Sequence, residues 1–280
     1  MSVNQINKTV KPLSNEALFK VAPSIFSESP IEGVSDKYAF VPTYKLLDTF
    51  RDAGYYPIMA SESKVRNNEN NQGYQKHIIQ FRSLDNLLRP NSNEEYADIV
   101  LTNSHNRSSS FIVDLAFFRI ICSNMLVVPS HSFSHHSIVH SGFNISKVNT
   151  AINEVTAYMP RIKDEIEKFK SIRLSLLEQY SLANAAIDIR FDKQLHDVNA
   201  KEFLKITRDE DEMPTLWNVF NRVQEVMIRG GAKGINKETG KSFTSKAITA
   251  IDANIKLNKE LFETVQNMAS LKLAPFQMAA

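Results

Sequence analysis

Histidine and cysteine are the side chains of this sequence best suited to metal binding or nucleophilic attack. His131, His135, His136 and His140 lie close together, and imidazole is a common zinc ligand. On a strand, His136 and His140 share one face while His135 lies on the other, so three imidazoles cannot converge locally. We therefore predict no metal site here and interpret these histidines as surface or sheet-lining groups.

No other motif indicates catalysis. Cys122 is the single cysteine and lies in an apolar run, where a thiol usually packs as a small inert group. Gly240, Lys241 and Ser242 loosely resemble the end of a phosphate-binding loop, but Gly234 lies one position too far upstream for that motif. The sequence therefore favours a non-enzymatic protein without a cofactor.

The charge of the chain is nearly balanced, so a surface that binds polyanions must be local. There are 33 Lys and Arg residues and 31 Asp and Glu residues, which excludes a globally basic, histone-like protein. Between positions 222 and 259, however, eight basic residues accompany three acidic ones, around a segment rich in glycine and lysine. We predict that this segment is a loop between two helices that contacts phosphates without sequence preference. The predicted contacts are Arg229, Lys233, Lys237 and Lys241.

A second basic region lies between positions 64 and 82, where two predicted strands form a hairpin. Its basic residues alternate with Tyr74, His77 and Phe81, which suits a groove that follows a single nucleic-acid strand while bases stack on rings. The alternative is an ordinary charged surface with Phe81 in the core. Arg107 lies in a polar stretch before the most apolar strand, which is either a plain turn or a binding edge rich in donors. The predicted contacts from these regions are Lys64, Arg66, Lys76, Arg82 and Arg107.

The elements that position these residues change in character near Gly142. Before that point, short branched and aromatic runs predict strands at 55–66, 73–83, 96–104, 110–124 and 132–140, with one helix at 42–52. The run 111–121 is apolar on both faces, which predicts a central strand, with a buried helix as the alternative. Beyond Gly142, apolar residues recur every three or four positions, which indicates helices.

The longest helical stripe runs from Ile145 to Phe169 and contains Pro160, which we expect to kink or split it. Packing of this stripe on the sheet or on later helices is favoured over a coiled coil. Further helices are predicted from Pro214 to Gly230 and over 244–268. The sequence thus predicts an α+β fold, with a mixed or mostly antiparallel sheet packed against helices.

We expect one continuous domain made of three regions. Residues 1–37 form a partly irregular segment, residues 38–142 the sheet region and residues 143–280 the helical region. A lone cysteine, the lack of a secretory leader and the lack of a long apolar stretch indicate the cytoplasm of a host cell, with no membrane partner.

Several short motifs occur in an order that resembles a known family. They are the turn at Ser104 and His105, Phe118 and Arg119, the run Cys122, Ser123 and Asn124, the run His140, Ser141 and Gly142, the helix with Trp217, and the strand 73–82. Together they resemble the phage- and plasmid-borne family labelled domain of unknown function 932, over about residues 38–231. The resemblance implies a mobile-element protein and supplies no catalytic residue. The histidines around His135 and the lysine-rich segment after Gly230 are not part of it.

The leading hypothesis is a non-enzymatic DNA-binding protein of a phage or plasmid. It binds single-stranded DNA, assists annealing or recombination, and forms homo-oligomers through its long helix. The alternative is an anti-defence protein that binds and inhibits a host immune protein. A metal-dependent nuclease that uses His105 and His140 ranks last.

Overall fold

Antiparallel strands occupy most of the first half of the chain, and helices occupy most of the second. The computed structural model describes residues 11–34, 38–65, 69–88, 95–119, 124–127, 136–138 and 144–274. Contacts divide the chain into two units, Met1–Met159 and Pro160–Ala280, which we call the N-terminal and C-terminal units. The α+β prediction is confirmed. The unit boundary lies inside a helix, C-terminal to the predicted change near Gly142.

The N-terminal unit begins with helices α1 (Asn15–Val21) and α2 (Thr43–Asp52), and α2 is the predicted helix. Its sheet contains β1 (Tyr55–Glu62), β2 (His77–Ser83), β3 (Glu95–Asn103), β4 (Phe111–Arg119), β5 (Asn124–Val127) and β6 (His136–Ile138). A short helix, α3 (Leu84–Leu88), follows β2. The described strands are all antiparallel and lie in the order β1-β2-β3-β4-β5, and β6 also pairs with β4. The prediction that the apolar run after Ser110 is a central strand is confirmed.

The two faces of this sheet differ in chemistry. Pairing of Ile79 with Leu101 places both on an apolar face, where Phe81 stacks on Phe50 of α2 with ring centroids 4.2 Å apart. Pairing of Gln80 with Val100 defines the other face, which carries polar side chains although it is also buried. The buried polar residues of that face are Gln80, Arg82, Asp98, Thr102 and Asp114.

Helix α4 (Ile145–Ser171) continues through Pro160 as one helix, so the predicted split does not occur. Val155 and Ile162, on either side of the proline, are both buried. Packing of the apolar stripe therefore offsets the hydrogen bond that proline cannot donate. Most of the stripe is buried within the chain, whereas Ile145 at its start is 47% exposed.

The C-terminal unit contains helices α5 (Leu176–Arg190), α6 (Leu216–Arg229) and α7 (Ile251–Leu273). Thr215 caps the N-terminus of helix α6, because its hydroxyl accepts from the Asn218 backbone N–H, and most residues of the helix are buried. Phe220 of α6 packs edge-on against Phe262 of α7, with ring centroids 6.2 Å apart. No described helix is long and apolar enough to cross a bilayer.

A second sheet lies where the sequence predicted only a loop. Strands β7 (His196–Val198), β8 (Lys233–Asn236) and β9 (Ser242–Thr244) form a small antiparallel sheet in that order. The prediction of a lysine-rich loop between two helices was therefore wrong. The last helix also begins at Ile251, later than the predicted Thr244, because β9 occupies residues 242–244.

Candidate nucleic-acid interface

Arg82, one of the predicted contacts, lies in the core of the N-terminal unit. Its side chain is 2% exposed, and its Nε and Nη2 donate to Asp98 Oδ1 and Oδ2 at 2.9 and 2.6 Å. The guanidinium also lies 4.2 Å from the centroid of the Tyr96 ring. Burial raises the pKa of Asp98, while hydrogen bonds and charge from Arg82 act in the opposite direction. The charge of Arg82 is satisfied inside the protein, so we withdraw it from the predicted interface.

The rest of the strand pair β1–β2 does not present the predicted groove either. Lys76 is only 8% exposed, and both His77 and Phe81 are fully buried. Arg66 lies outside the described residues, whereas Lys64 is exposed. The alternative interpretation, with Phe81 in the core, is the one that the structure supports.

His77 and His105 belong to a buried polar network at one end of this sheet. Thr43 Oγ1 lies 2.8 Å from His77 Nε2 and 3.4 Å from His105 Nε2, and it accepts from Asn103 Nδ2 at 2.9 Å. His77 Nδ1 lies 3.1 Å from the Gln75 carbonyl oxygen. Burial lowers the pKa of His77 to about 4, so the ring is neutral near pH 7. We assign its proton to Nδ1, which leaves Nε2 to accept from the Thr43 hydroxyl.

The same end of the sheet carries the turn between β3 and β4, residues 104–110, which we call the Arg107 loop. Ser104 Oγ accepts from the Ser109 backbone N–H at 2.8 Å and donates to the Ser109 carbonyl at 3.1 Å. The backbone of His105 donates to the Tyr74 carbonyl and accepts from Ile31 N–H, both at 3.0 Å. These bonds hold a defined loop with Arg107 exposed at its tip. Lys64 follows β1 at this same end of the antiparallel sheet.

Residues 233–244 of the C-terminal unit form a β-hairpin, which we call the lysine hairpin. Asn236 Oδ1 accepts from the backbone N–H groups of Glu238 and Thr239 at 3.1 and 2.9 Å. Gly240 has φ 65°, a conformation that glycine adopts without a steric penalty, and it closes the turn. The segment is therefore an ordered turn between two strands.

Alternation along the strands gives the lysine hairpin an exposed face and a packed face. Ile235 pairs with Asp197 on one side and Ser242 on the other, and Lys233 pairs with Thr244. All five side chains are exposed, and Ile235 is 49% exposed although it is apolar. Residues of the opposite face pack on rings of the unit, and the Phe243 ring lies 6.0 Å from that of Phe191. A Cβ on Gly234 would lie 2.8 Å from the Phe243 ring, so this glycine admits the close packing.

The predicted cations of this region differ in whether a nearby carboxylate compensates their charge. Lys233, Lys237 and Lys241 are all exposed, and Lys237 Nζ donates to the Lys193 carbonyl at 2.7 Å, which leaves its charge uncompensated. Arg229 Nη1 donates to Glu225 Oε1 at 3.1 Å. Burial raises the pKa of Glu225, but Arg208 and Arg229 together hold it below the ordinary value. Glu225 therefore neutralises part of the charge of Arg229. Glu202 accepts from the Lys233 backbone N–H at 3.2 Å, and the charge of Lys233 helps to lower the pKa of Glu202, so Lys237 and Lys241 are the less compensated cations.

A metal-dependent nuclease finds no support in the described part of the chain. There, no group of three or more His, Cys, Asp and Glu residues could hold a metal ion. His105 is fully buried, so it cannot reach a substrate from outside. His140 lies outside the described residues, as do Cys122, His131 and His135; His136 belongs to β6.

Sequence reasoning missed two groups of residues. Asp197, Ile235, Ser242 and Thr244 share the exposed face with Lys233, but only the strand pairing brings them together. Ser104 was noted as part of a motif, yet its role in closing the Arg107 loop depends on its bonds to Ser109.

The geometry defines an α+β protein in which the predicted contacts that remain exposed lie on a small sheet and at one end of the larger sheet. The model of the family described as Domain of unknown function (DUF932) matches residues 30–262, so the chain belongs to this family. The resemblance inferred from the sequence is confirmed, but the match extends beyond the expected residues 38–231 and includes the lysine hairpin, which we had placed outside it.

Two curated proteins of Escherichia coli (strain K12) are similar to this chain over most of their length. UPF0380 protein YafZ is 33% identical over 252 residues, which is 90% of each chain. UPF0380 protein YfjQ is 32% identical over 258 residues, which is 92% of each chain. No solved structure matches this chain significantly.

Proposed function

We propose that this chain is a non-enzymatic DNA-binding protein of a phage or plasmid, and that it binds single-stranded DNA in the cytoplasm of a bacterial host. The observation that carries the proposal is the lysine hairpin, where Lys233, Lys237 and Lys241 are exposed on an ordered turn. Ammonium groups on such a surface attract phosphates and release counterions from the nucleic acid, irrespective of base sequence.

Two features favour a single strand over a duplex. Helix α6 precedes the lysine hairpin, but most of its residues are buried, so it cannot enter a major groove as a recognition helix. Ile235 places an apolar side chain in the middle of the exposed face, where an unpaired base can pack on it. In a duplex the faces of the bases are stacked on each other and cannot make this contact.

Annealing, recombination and self-association extend this proposal. They depend on an analogy with annealing proteins, which often assemble sheet-and-helix cores into rings or filaments. The other hypothesis, inhibition of a host immune protein, stays a prediction as well. A pull-down from nuclease-treated host lysate separates the two, because only a protein partner survives the nuclease.

The test uses two variants of equal charge. In the first, Lys233, Lys237 and Lys241 are replaced by glutamate, and in the control the exposed Lys11, Lys45 and Lys163 are replaced by glutamate. Both changes take the formal net charge from +2 to −4, because three lysines become glutamates. Binding of a labelled single-stranded oligonucleotide is measured by fluorescence anisotropy at several salt concentrations.

We expect the hairpin variant to lose about 100-fold in affinity at low salt while the control loses much less. The slope of log K against log salt should fall by about 2, since each lost phosphate contact removes about 0.7. Equal losses in the two variants would mean that net charge alone attracts the DNA. Failure of the unmodified protein to bind at micromolar concentration would refute the proposal.

A further inference from the structure

Arg107 has a backbone conformation that arginine rarely adopts. Its φ is 65°, and it is the sole non-glycine residue with positive φ in the described part of the chain. In this left-handed region the Cβ atom crowds the neighbouring carbonyl oxygen, so the conformation persists only where the surroundings impose it. Glycine or asparagine would fit this position with less strain.

The surroundings of Arg107 do impose its conformation. Ser104 and Ser109 close the loop by two hydrogen bonds, and Asn106 Oδ1 accepts from the Ser108 backbone N–H at 3.1 Å. Asn106 Nδ2 in turn donates to Asn71 Oδ1 at 3.3 Å, which joins the loop to the neighbouring turn. The loop is thus held from both sides, and an arginine occupies its strained and exposed tip.

The guanidinium group of Arg107 is available to a ligand. Among the described residues, no hydrogen bond or ion pair holds it, in contrast to Arg82 and Arg229. Its charge acts on the half-buried Tyr38: burial raises the pKa of Tyr38, and the charge of Arg107 acts to lower it. Lys64 adds a second exposed cation at this end of the sheet.

We propose that Arg107 is a phosphate-binding residue and that the Arg107 loop is a second phosphate site, in addition to the lysine hairpin. A planar guanidinium matches two oxygens of a phosphate group, and a rigid loop reduces the entropy lost when the pair forms. The phosphate belongs either to a nucleic-acid backbone or to a free phosphate compound. That the backbone is the natural source rests on the proposed function.

Three variants separate binding from structure. Arg107→Gln keeps a side chain at the strained position but removes its charge. Arg107→Gly removes both charge and strain, and Lys45→Gln removes one exposed charge elsewhere in the same unit. Each is compared with the unmodified protein for oligonucleotide binding by anisotropy and for Tm with and without inorganic pyrophosphate.

We expect both Arg107 variants to bind the oligonucleotide about tenfold more weakly, with the salt slope reduced by about 0.7, and Lys45→Gln to bind normally. Arg107→Gly should also raise the Tm without ligand by about 1 to 3 °C, because strain is released. A residue kept only for structure would not combine higher stability with weaker binding. If Arg107→Gly lowers the Tm, the result for Arg107→Gln is used instead. Weaker oligonucleotide binding by Arg107→Gln at an unchanged Tm would support the phosphate site.

Pyrophosphate identifies the source of the phosphate. If it raises the Tm of the unmodified protein and not that of Arg107→Gln, the site accepts free phosphate compounds. If pyrophosphate has no effect and only oligonucleotide binding is weakened in Arg107→Gln, the site is specific for the nucleic-acid backbone. Unchanged oligonucleotide binding and an unchanged response to pyrophosphate in Arg107→Gln would overturn the proposal. Loss of binding in the Arg107 variants with normal binding in the hairpin variant would refute the lysine hairpin while the Arg107 site stands.

Discussion

Strand β2 and the lysine hairpin both place basic residues among apolar ones, yet they use their cations in opposite ways. On β2 both faces are buried, and Arg82 is paired with Asp98. On β8 one face is exposed, and Lys233 lies beside Ile235 with its side chain exposed, while the Glu202 carboxylate accepts from its backbone N–H at 3.2 Å. The same alternation of residue types therefore gives a satisfied internal ion pair in one sheet and an exposed cationic surface, which we propose binds phosphates, in the other.

The difference arises from how many sides of a strand are covered. A charge on a strand that is buried on both faces must be matched within the protein, because an unpaired charge loses its hydration without compensation. A charge on a strand with one open face keeps its water and can exchange that water for a ligand. Exposure of the second face is thus the property that separates a structural cation such as Arg82 from the cations that we propose bind phosphate.

The largest effect that we predict comes from removing the partner of the buried cation. Replacing Asp98 with alanine leaves the Arg82 guanidinium buried beside Gln80 and Tyr96, and we expect a loss of about 3 to 5 kcal/mol in the free energy of unfolding. Urea denaturation measures this change. A loss below about 1 kcal/mol would show that Arg82 can reach solvent, and it would return Arg82 to the list of binding residues.

The control for this prediction removes both charges. Replacing Arg82 with methionine together with Asp98 with leucine leaves no unpaired group, so we expect the double variant to be more stable than Asp98→Ala. If the double variant is as unstable as the single one, packing and not charge accounts for the effect.

The second prediction concerns His77, which is buried in the same unit. Its pKa is about 4 in the folded protein and near 6.5 when exposed, so the unfolded chain binds the proton more readily. Stability from the neutral ring is therefore complete above about pH 6.5 and is lost as the pH falls towards 4. The full difference corresponds to about 3 kcal/mol.

Replacing His77 with glutamine removes this titration while keeping a polar side chain in the network. Between pH 7 and pH 4, we expect the free energy of unfolding to fall by about 3 kcal/mol more in the unmodified protein than in the variant. Urea denaturation at each pH gives both curves. Parallel curves would mean that His77 is not neutral in the fold.

Residues that begin and end a helix or strand explain which elements the sequence could predict. Helix α2 lies between Pro42 and Gly54, and its predicted bounds are within one residue of those observed. The small sheet was missed because its strands are three or four residues long, too short for periodicity to be read. Its first strand, β7, is also separated from β8 by helix α6, so no local pattern indicates that they pair.

Prediction of the candidate site failed where it depended on long-range pairing. Arg82 and Asp98 meet because Phe81 pairs with Ile99, a register that neither strand encodes alone. The conformation of Arg107 likewise results from Ser104, Asn106 and the turn that contains Asn71. The exposed lysines were predicted correctly as surface groups because lysine is rarely buried, although their hairpin was not.

The smallest effect that we predict on stability is that of the lysines themselves. Replacing Lys233, Lys237 and Lys241 together with alanine should change the free energy of unfolding by less than about 1.5 kcal/mol, since exposed substitutions each contribute about 0.5 kcal/mol or less. Lys237 loses only an exposed hydrogen bond to the Lys193 carbonyl. Urea denaturation beside Asp98→Ala measures the contrast directly. A loss of several kcal/mol would mean that these lysines hold the small sheet together, and the distinction between structural and binding cations would then fail at the hairpin.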